Sequence, residues 1–149
     1  ESYAKRLDSL LPVTVKEAQH GEPVREGHVY IAPGGFHLEV RKRAFGFECV
    51  ITEEEPVNLH RPSVEVLYNS VAKNASRNAI GIILTGMGKD GSEALGRIKD
   101  AGMMTFAQDE ESSVVWGMPG AAVTEFNAVD PRNVMNLKQL ARTVSELGH

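Results

Sequence analysis

Cysteine is nearly absent from this chain: Cys49 is the only one among 149 residues. A single thiol excludes an internal disulfide and any C-x-x-C metal or redox motif, and a reducing, cytoplasmic setting is expected. Positive charge is also in deficit, with 16 Lys and Arg against 20 Asp and Glu and a net charge of −4. No basic field is therefore available to draw in nucleic acid. The Arg41-Lys42-Arg43 cluster is short and reads as a hairpin edge. No apolar run approaches the roughly 18 residues of a membrane-crossing helix, and no signal peptide is visible, so no direct membrane insertion is expected. A leading methionine is missing as well. The first residues, Glu1 to Leu11, put Tyr3, Leu7, Leu10 and Leu11 on one helical face. The chain is expected to begin near or within a helix, as part of a longer catalytic domain.

What is present is enough for a core: 42% of the residues are apolar, and the length fits one domain over residues 1–149. The first half reads as β-rich, with strands at 13–18, 28–32, 36–41 and 45–52 and a hairpin tip at 44–46. Two or three of these are expected to pair antiparallel, as an excursion from the main layer. Pro62-Ser63 opens a helix with Ser63 as N-cap, Glu65 in its first turn, and Val64, Leu67, Tyr68 and Val71 as its buried stripe. The rhythm then alternates: strand 79–84, helix 92–101, strand 103–108, a short helix 120–124, strand 128–129 and helix 137–147. Strands separated by helices predict βαβ units. The expected fold is therefore α/β: three-layer, doubly wound and mostly parallel, with a small antiparallel β excursion.

The most informative segment is Ile82-Ile83-Leu84-Thr85-Gly86-Met87-Gly88-Lys89-Asp90-Gly91. A β-branched run ends in a glycine-rich loop that carries one carboxylate and opens into a helix. The carboxyl end of a strand is where open α/β sheets keep their chemistry. Three readings of the loop stand at this point. In the first, Gly86, Gly88 and Gly91 fit the G-x-G-x-x-G dinucleotide fingerprint, with Asp109 at the ribose position. Against it, Asp90 would face a pyrophosphate that seeks positive potential, and the motif sits past the middle of the chain. In the second, the glycines make a tight turn and Asp90 or Ser92 caps the helix. In the third, Asp90 is a catalytic carboxylate that orients a histidine, while amides of the same loop stabilise an oxyanion.

Longer strings discriminate better than the loop alone. Val15-Lys-Glu-Ala18, Gly21-Glu-Pro-Val24, Tyr30-Ile-Ala-Pro-Gly34, His37-Leu-Glu39, His60-Arg-Pro-Ser-Val64, Asn78-Ala79, Ile83-Leu-Thr-Gly-Met-Gly88, Asp90-Gly91 and Gly117-Met-Pro119 occur in order over most of residues 1–127. In these strings the chain resembles the catalytic domain of the chemotaxis receptor protein-glutamate methylesterases, the CheB family. The resemblance implies a serine hydrolase, a carboxylic ester hydrolase that removes methyl esters from glutamates on chemoreceptor cytoplasmic helices and deamidates receptor glutamines. It implies a Ser-His-Asp triad, with Asp90 as the acid and the Met87 backbone N–H as an oxyanion contact. Triad chemistry requires neither metal nor organic cofactor. The resemblance further implies a regulatory receiver domain in the intact protein, to which none of these residues corresponds.

The family's serine and histidine segments find no counterpart in these residues. The triad serine and histidine are expected outside this chain, and the chain alone is expected to be inactive. The five histidines do not match the triad position. His20 reads as a solvated turn residue, His28 and His37 as surface or half-buried residues of the hairpin region, and His149 as terminal. His60 belongs to a family string and is either a structural residue at the loop–helix junction or part of the site's rim. Ser112 and Ser113 are weak substitutes for the nucleophile, having no local histidine. Met87, Met103, Met104 and Met118 read as packing residues. The alternatives kept open are a non-catalytic receptor-binding module and, with less support, a dinucleotide-binding domain.

Overall fold

The computed structural model describes residues 2–148. Glu1, expected in the first helix, and His149 lie outside the described residues. The chain divides into two compact units, one running to Ala75 and the other beginning at Ser76.

The first unit opens with α1 (Ser2–Leu10), which packs on β1 (Thr14–Glu17). The Asp8 carboxylate accepts the Val15 N–H at 2.8 Å and ties the helix to the strand. The expected apolar stripe is not what α1 buries. Ala4 is buried, whereas Tyr3 and Leu10 are 62% and 68% exposed and Leu11 is exposed too. Leu7, also of the expected stripe, is half-buried. A small side chain at the contact lets helix and strand approach closely.

Strand β1 pairs in parallel with β2 (His28–Ile31). The connection between them contains no helix. It runs beside β4 (Phe47–Thr52) instead: Gly21 N–H donates to Cys49 O, Cys49 N–H to Glu22 O and Val24 N–H to Phe47 O. The antiparallel excursion is confined to β3 (His37–Lys42) and β4, whose turn is closed by Arg43 N–H to Gly46 O at 2.9 Å. Ala18, Leu38 and Cys49 form the core here, with Tyr30, Ile51 and Leu67 packed against it.

Helix α2 (Val64–Asn74) lies on β3. Its expected stripe is half-buried, while Glu65 and Ser70 are buried. Ser70 accounts for its own burial: its hydroxyl donates to Leu67 O and accepts the Val40 N–H of β3.

The second unit is a three-stranded parallel sheet in the order β5 (Ile80–Ile83), β6 (Met104–Gln108), β7 (Val134–Met135). Helix α3 (Ser92–Asp100) connects β5 to β6; α4 (Met118–Thr124) and α5 (Leu137–Leu147) follow. Thr105, Phe106, Ala107 and Gln108 of β6 are all buried, as expected of a central parallel strand covered on both faces. Ala94, Leu95 and Ile98 of α3 are buried as well, spaced along one helical face.

The strand expected at 128–129 is instead a buried turn. The Ala128 N–H donates to Ala122 O, and Asp130 accepts the Arg132 N–H to start a short 3-10 turn. Pairing with β6 begins only at Val134. Apolar, β-branched residues are equally at home in a buried turn, which is why the pattern misplaced the strand. Helix α5 matches its expected bounds, and Asn136 and Gln139 close a capping box.

Three of the four strand pairings are parallel and one is antiparallel. This agrees with the expected α/β class, mostly parallel with a small antiparallel pair.

Candidate active site

The glycine-rich loop connects the carboxyl end of β5 to α3, within the second unit. Two strands deliver it. The loop after β5 carries Thr85, Gly86, Met87 and Asp90; the loop after β6 carries Asp109, Ser112, Val115 and Trp116.

The two loops are joined by a short ladder. Gly86 N–H donates to Val115 O at 2.9 Å, and Gly86 O accepts N–H bonds from Gly117 at 3.1 Å and Met118 at 2.9 Å. Thr85 Oγ1 both donates to Val115 O and accepts the Val115 N–H, each at 2.9 Å. Residue 117 must be glycine for this approach, since a Cβ there would lie 2.8 Å from Gly86 O and 2.9 Å from Gly88 N. Gly91 is the N-cap of α3 with φ +84°, a left-handed conformation that other residues adopt only with strain.

Asp90 is 7% exposed, directly ahead of this cap. Ser92, fully buried in the first turn, does not cap its own helix; its hydroxyl donates to Met118 O at 2.7 Å. The capping explanation of the loop therefore loses Ser92, and the N-cap position belongs to Gly91.

Met87 differs from its neighbours. Its side chain is 80% exposed, which corrects its reading as a packing residue. Its N–H has no hydrogen-bond partner among the described residues, although the adjacent Gly86 is bonded through both N–H and C=O. An exposed side chain and an unengaged amide fit a backbone role. Of the other methionines, Met103 is buried, Met118 half-buried and Met104 exposed.

Beneath both loops lies Gln108, the last residue of β6 and 1% exposed. Its Oε1 accepts the Thr85 N–H at 2.8 Å, and its Nε2 donates to Ser112 O at 2.9 Å. Its backbone carbonyl accepts the Trp116 indole N–H at 2.9 Å. Sequence reasoning missed this residue. The available signal was a large amide ending an otherwise apolar strand, where burial requires hydrogen-bond partners.

The weaker candidates find other employment. Ser112 Oγ donates to Asp109 Oδ1 at 2.6 Å, and Ser113 Oγ to Asp109 O at 2.7 Å. The Asp109 carboxylate, placed at the ribose position by the dinucleotide reading, also accepts the Ser112 N–H, and these bonds hold its pKa below the ordinary value.

All four described histidines lie in the first unit. His20 is exposed, and its Nδ1 accepts the Ile51 N–H. His28 stacks on Tyr30 with ring centroids 6.0 Å apart. His60 is exposed, and its backbone closes a tight turn with Val57. His37 is not a surface or half-buried residue but 1% exposed. Its Nδ1 accepts the Ser63 N–H at 3.2 Å, which leaves Nε2 to donate to Glu55 O at 2.9 Å. Both ring nitrogens serve the entry to α2. Among the described residues, no group of three or more His, Cys, Asp or Glu is arranged to hold a metal ion. No helix among them is long and apolar enough to cross a membrane.

Comparison with known proteins bears on this geometry. The profile of the CheB methylesterase family matches residues 1–144. The chain is 59% identical over 122 residues to the protein-glutamate methylesterase/protein-glutamine glutaminase 2 of Saccharophagus degradans, a match covering 82% of this chain and 35% of that protein. It is 52% identical over 143 residues to the protein-glutamate methylesterase/protein-glutamine glutaminase 1 of Hahella chejuensis, covering 96% and 39%. The chain thus spans well under half the length of these relatives. A crystal structure of the Thermotoga maritima CheB methylesterase catalytic domain is similar with a TM-score of 0.91 and 37% identity, over 98% of this chain and 76% of that one.

Proposed function

The chain belongs to the CheB methylesterase family, and from that we propose that it forms part of a hydrolase acting on glutamate methyl esters, and on glutamine amides, of chemoreceptor cytoplasmic helices. Asp90 is the triad acid. A serine and a histidine from outside this sequence complete the triad. The serine attacks the ester carbonyl, the histidine takes the serine proton and passes it to the departing methanol, and Asp90 stabilises the histidinium in between; water, deprotonated by the same histidine, then cleaves the glutamyl-serine ester, releasing glutamate and restoring the serine. The Met87 N–H donates to the oxyanion of the tetrahedral intermediate. The reaction uses no metal or organic cofactor, and a receiver domain of the same protein governs access to the site in the cytoplasm.

The observation that carries this reading is the pairing, three residues apart on one strand-end loop, of the buried Asp90 carboxylate with the unengaged Met87 backbone amide. A buried carboxylate beside open backbone donors suits acyl-transfer chemistry better than phosphate binding, where Asp90 would repel the ligand.

The test is methanol release from methylated receptor and ammonia release from receptor carrying glutamine at the same positions. The complete protein is expected to release both, and the 149 residues alone neither, since loss of triad nucleophile and base costs about 10⁶-fold in turnover. Receptor binding by the complete protein with no release of either product would instead favour a non-catalytic receptor-binding module.

A further inference from the structure

We propose that Gln108 is a positioning residue for the esterase reaction, holding the Thr85–Gly91 loop in its working place through the paired acceptor and donor of its carboxamide. The inference rests on the function proposed above and concerns a residue that touches neither substrate nor triad.

The argument begins with what the partners require. The Thr85 N–H can only donate, and the Ser112 carbonyl can only accept. A side chain bridging them must present an acceptor on one side and a donor on the other, and a planar carboxamide does both at once. Its orientation follows from the network, because exchanging Oε1 and Nε2 would set donor against donor and acceptor against acceptor. The bonds are 2.8 and 2.9 Å long, and the Gln108 side chain that makes them is 1% exposed. An apolar side chain in its place would leave the Thr85 N–H and the Ser112 carbonyl without their partner on that side.

Location makes the bridge consequential. Thr85 is the first anchored residue of the loop, two residues before the Met87 amide. Ser112 and Trp116, both held by Gln108, flank the segment whose Val115 carbonyl receives Gly86 N–H. The Gln108 side chain thus ties Thr85 of one loop to Ser112 of the other, its backbone carbonyl holds Trp116, and through them the aim of an oxyanion donor is set, where small misplacements cost rate.

Two variants of the complete enzyme test this: Gln108→Glu and Gln108→Met. Ionised glutamate keeps the acceptor for Thr85 but turns a second acceptor on Ser112 O; protonated glutamate restores the donor. Burial favours the protonated form. We expect the turnover of Gln108→Glu relative to the unsubstituted enzyme, corrected for folded fraction by circular dichroism, to rise about tenfold per pH unit of acidification until the glutamate is protonated. Gln108→Met should lose about tenfold or more in kcat with little change in KM, by a ratio that does not vary with pH. Undiminished kcat in both variants, or losses that vanish on correction for folded fraction, would overturn the proposal.

Asp90→Asn run in parallel separates the two ideas. An active Asp90→Asn beside a pH-restored Gln108→Glu removes Asp90 from the triad and leaves the positioning role standing. An inactive Asp90→Asn beside unaffected Gln108 variants does the reverse.

Discussion

Ser92 donates its hydroxyl to the Met118 carbonyl at 2.7 Å, joining the first turn of α3 to the first turn of α4 across 26 residues of sequence. The bond sits two residues beyond Asp90 and secures the helix that follows it. Ser92 itself is fully buried. Ser92→Ala is expected to cost about 1–3 kcal/mol, read as a lower midpoint in urea at unchanged m-value. An unaltered midpoint would show that the Met118 carbonyl finds another partner.

His37 is expected to matter for stability and not for chemistry. Both ring nitrogens are bonded in the first unit, to the Ser63 N–H and the Glu55 carbonyl. His37→Leu leaves both groups unpaired, at about 1–3 kcal/mol each. Enzyme that remains folded should keep its turnover and pH profile. A changed pH profile at normal folded fraction would give His37 a part in the reaction.

Cys49 tests the core of the first unit. Burial first, and then the neighbouring Glu22 charge, push its thiol up to about 11. The folded pKa lies above the unfolded value of about 8.5. The thiol's contribution to stability is therefore fully present below about pH 8.5 and is lost as pH rises toward 11. At pH 8, peptide mapping after brief treatment with a thiol reagent should find Cys49 unmodified in native protein and modified in urea. Rapid modification of native protein would contradict the burial.

What is local in sequence is legible there. A β-branched run, a glycine-rich loop with one acid and a helix lie within twenty residues and single out Asp90, whereas Met87 enters through the family resemblance. Helix α5 was legible for the same reason, since its capping box and periodicity are both local. Gln108 was not, because its partner Thr85 lies 23 residues away and the bond exists only once β5 and β6 are side by side. The burial of His37 likewise depends on α2 and the segment before it folding over β3. The parallel pairing of β1 with β2 escaped because a parallel connection normally carries a helix, and here an extended segment bonded to β4 replaces it. Alternation marks a strand but does not give the direction of its neighbour.

The central claim is that Asp90 acts on a histidine, and Asp90→Asn in the complete enzyme tests it most directly. Asparagine keeps the size of the side chain, and Gly91 rather than residue 90 holds the N-cap of α3, so the fold should survive with a near-normal melting temperature. It cannot stabilise a histidinium by charge, and it favours the wrong tautomer of the ring; in a serine protease the same exchange cost about 10⁴ in turnover. The measurement is the rate of methanol release from methylated receptor at saturating substrate, beside the thermal melt. The account predicts a loss of several orders of magnitude at an intact melt. Unchanged release by a normally folded variant would contradict it and return Asp90 to the role of a loop-structuring residue.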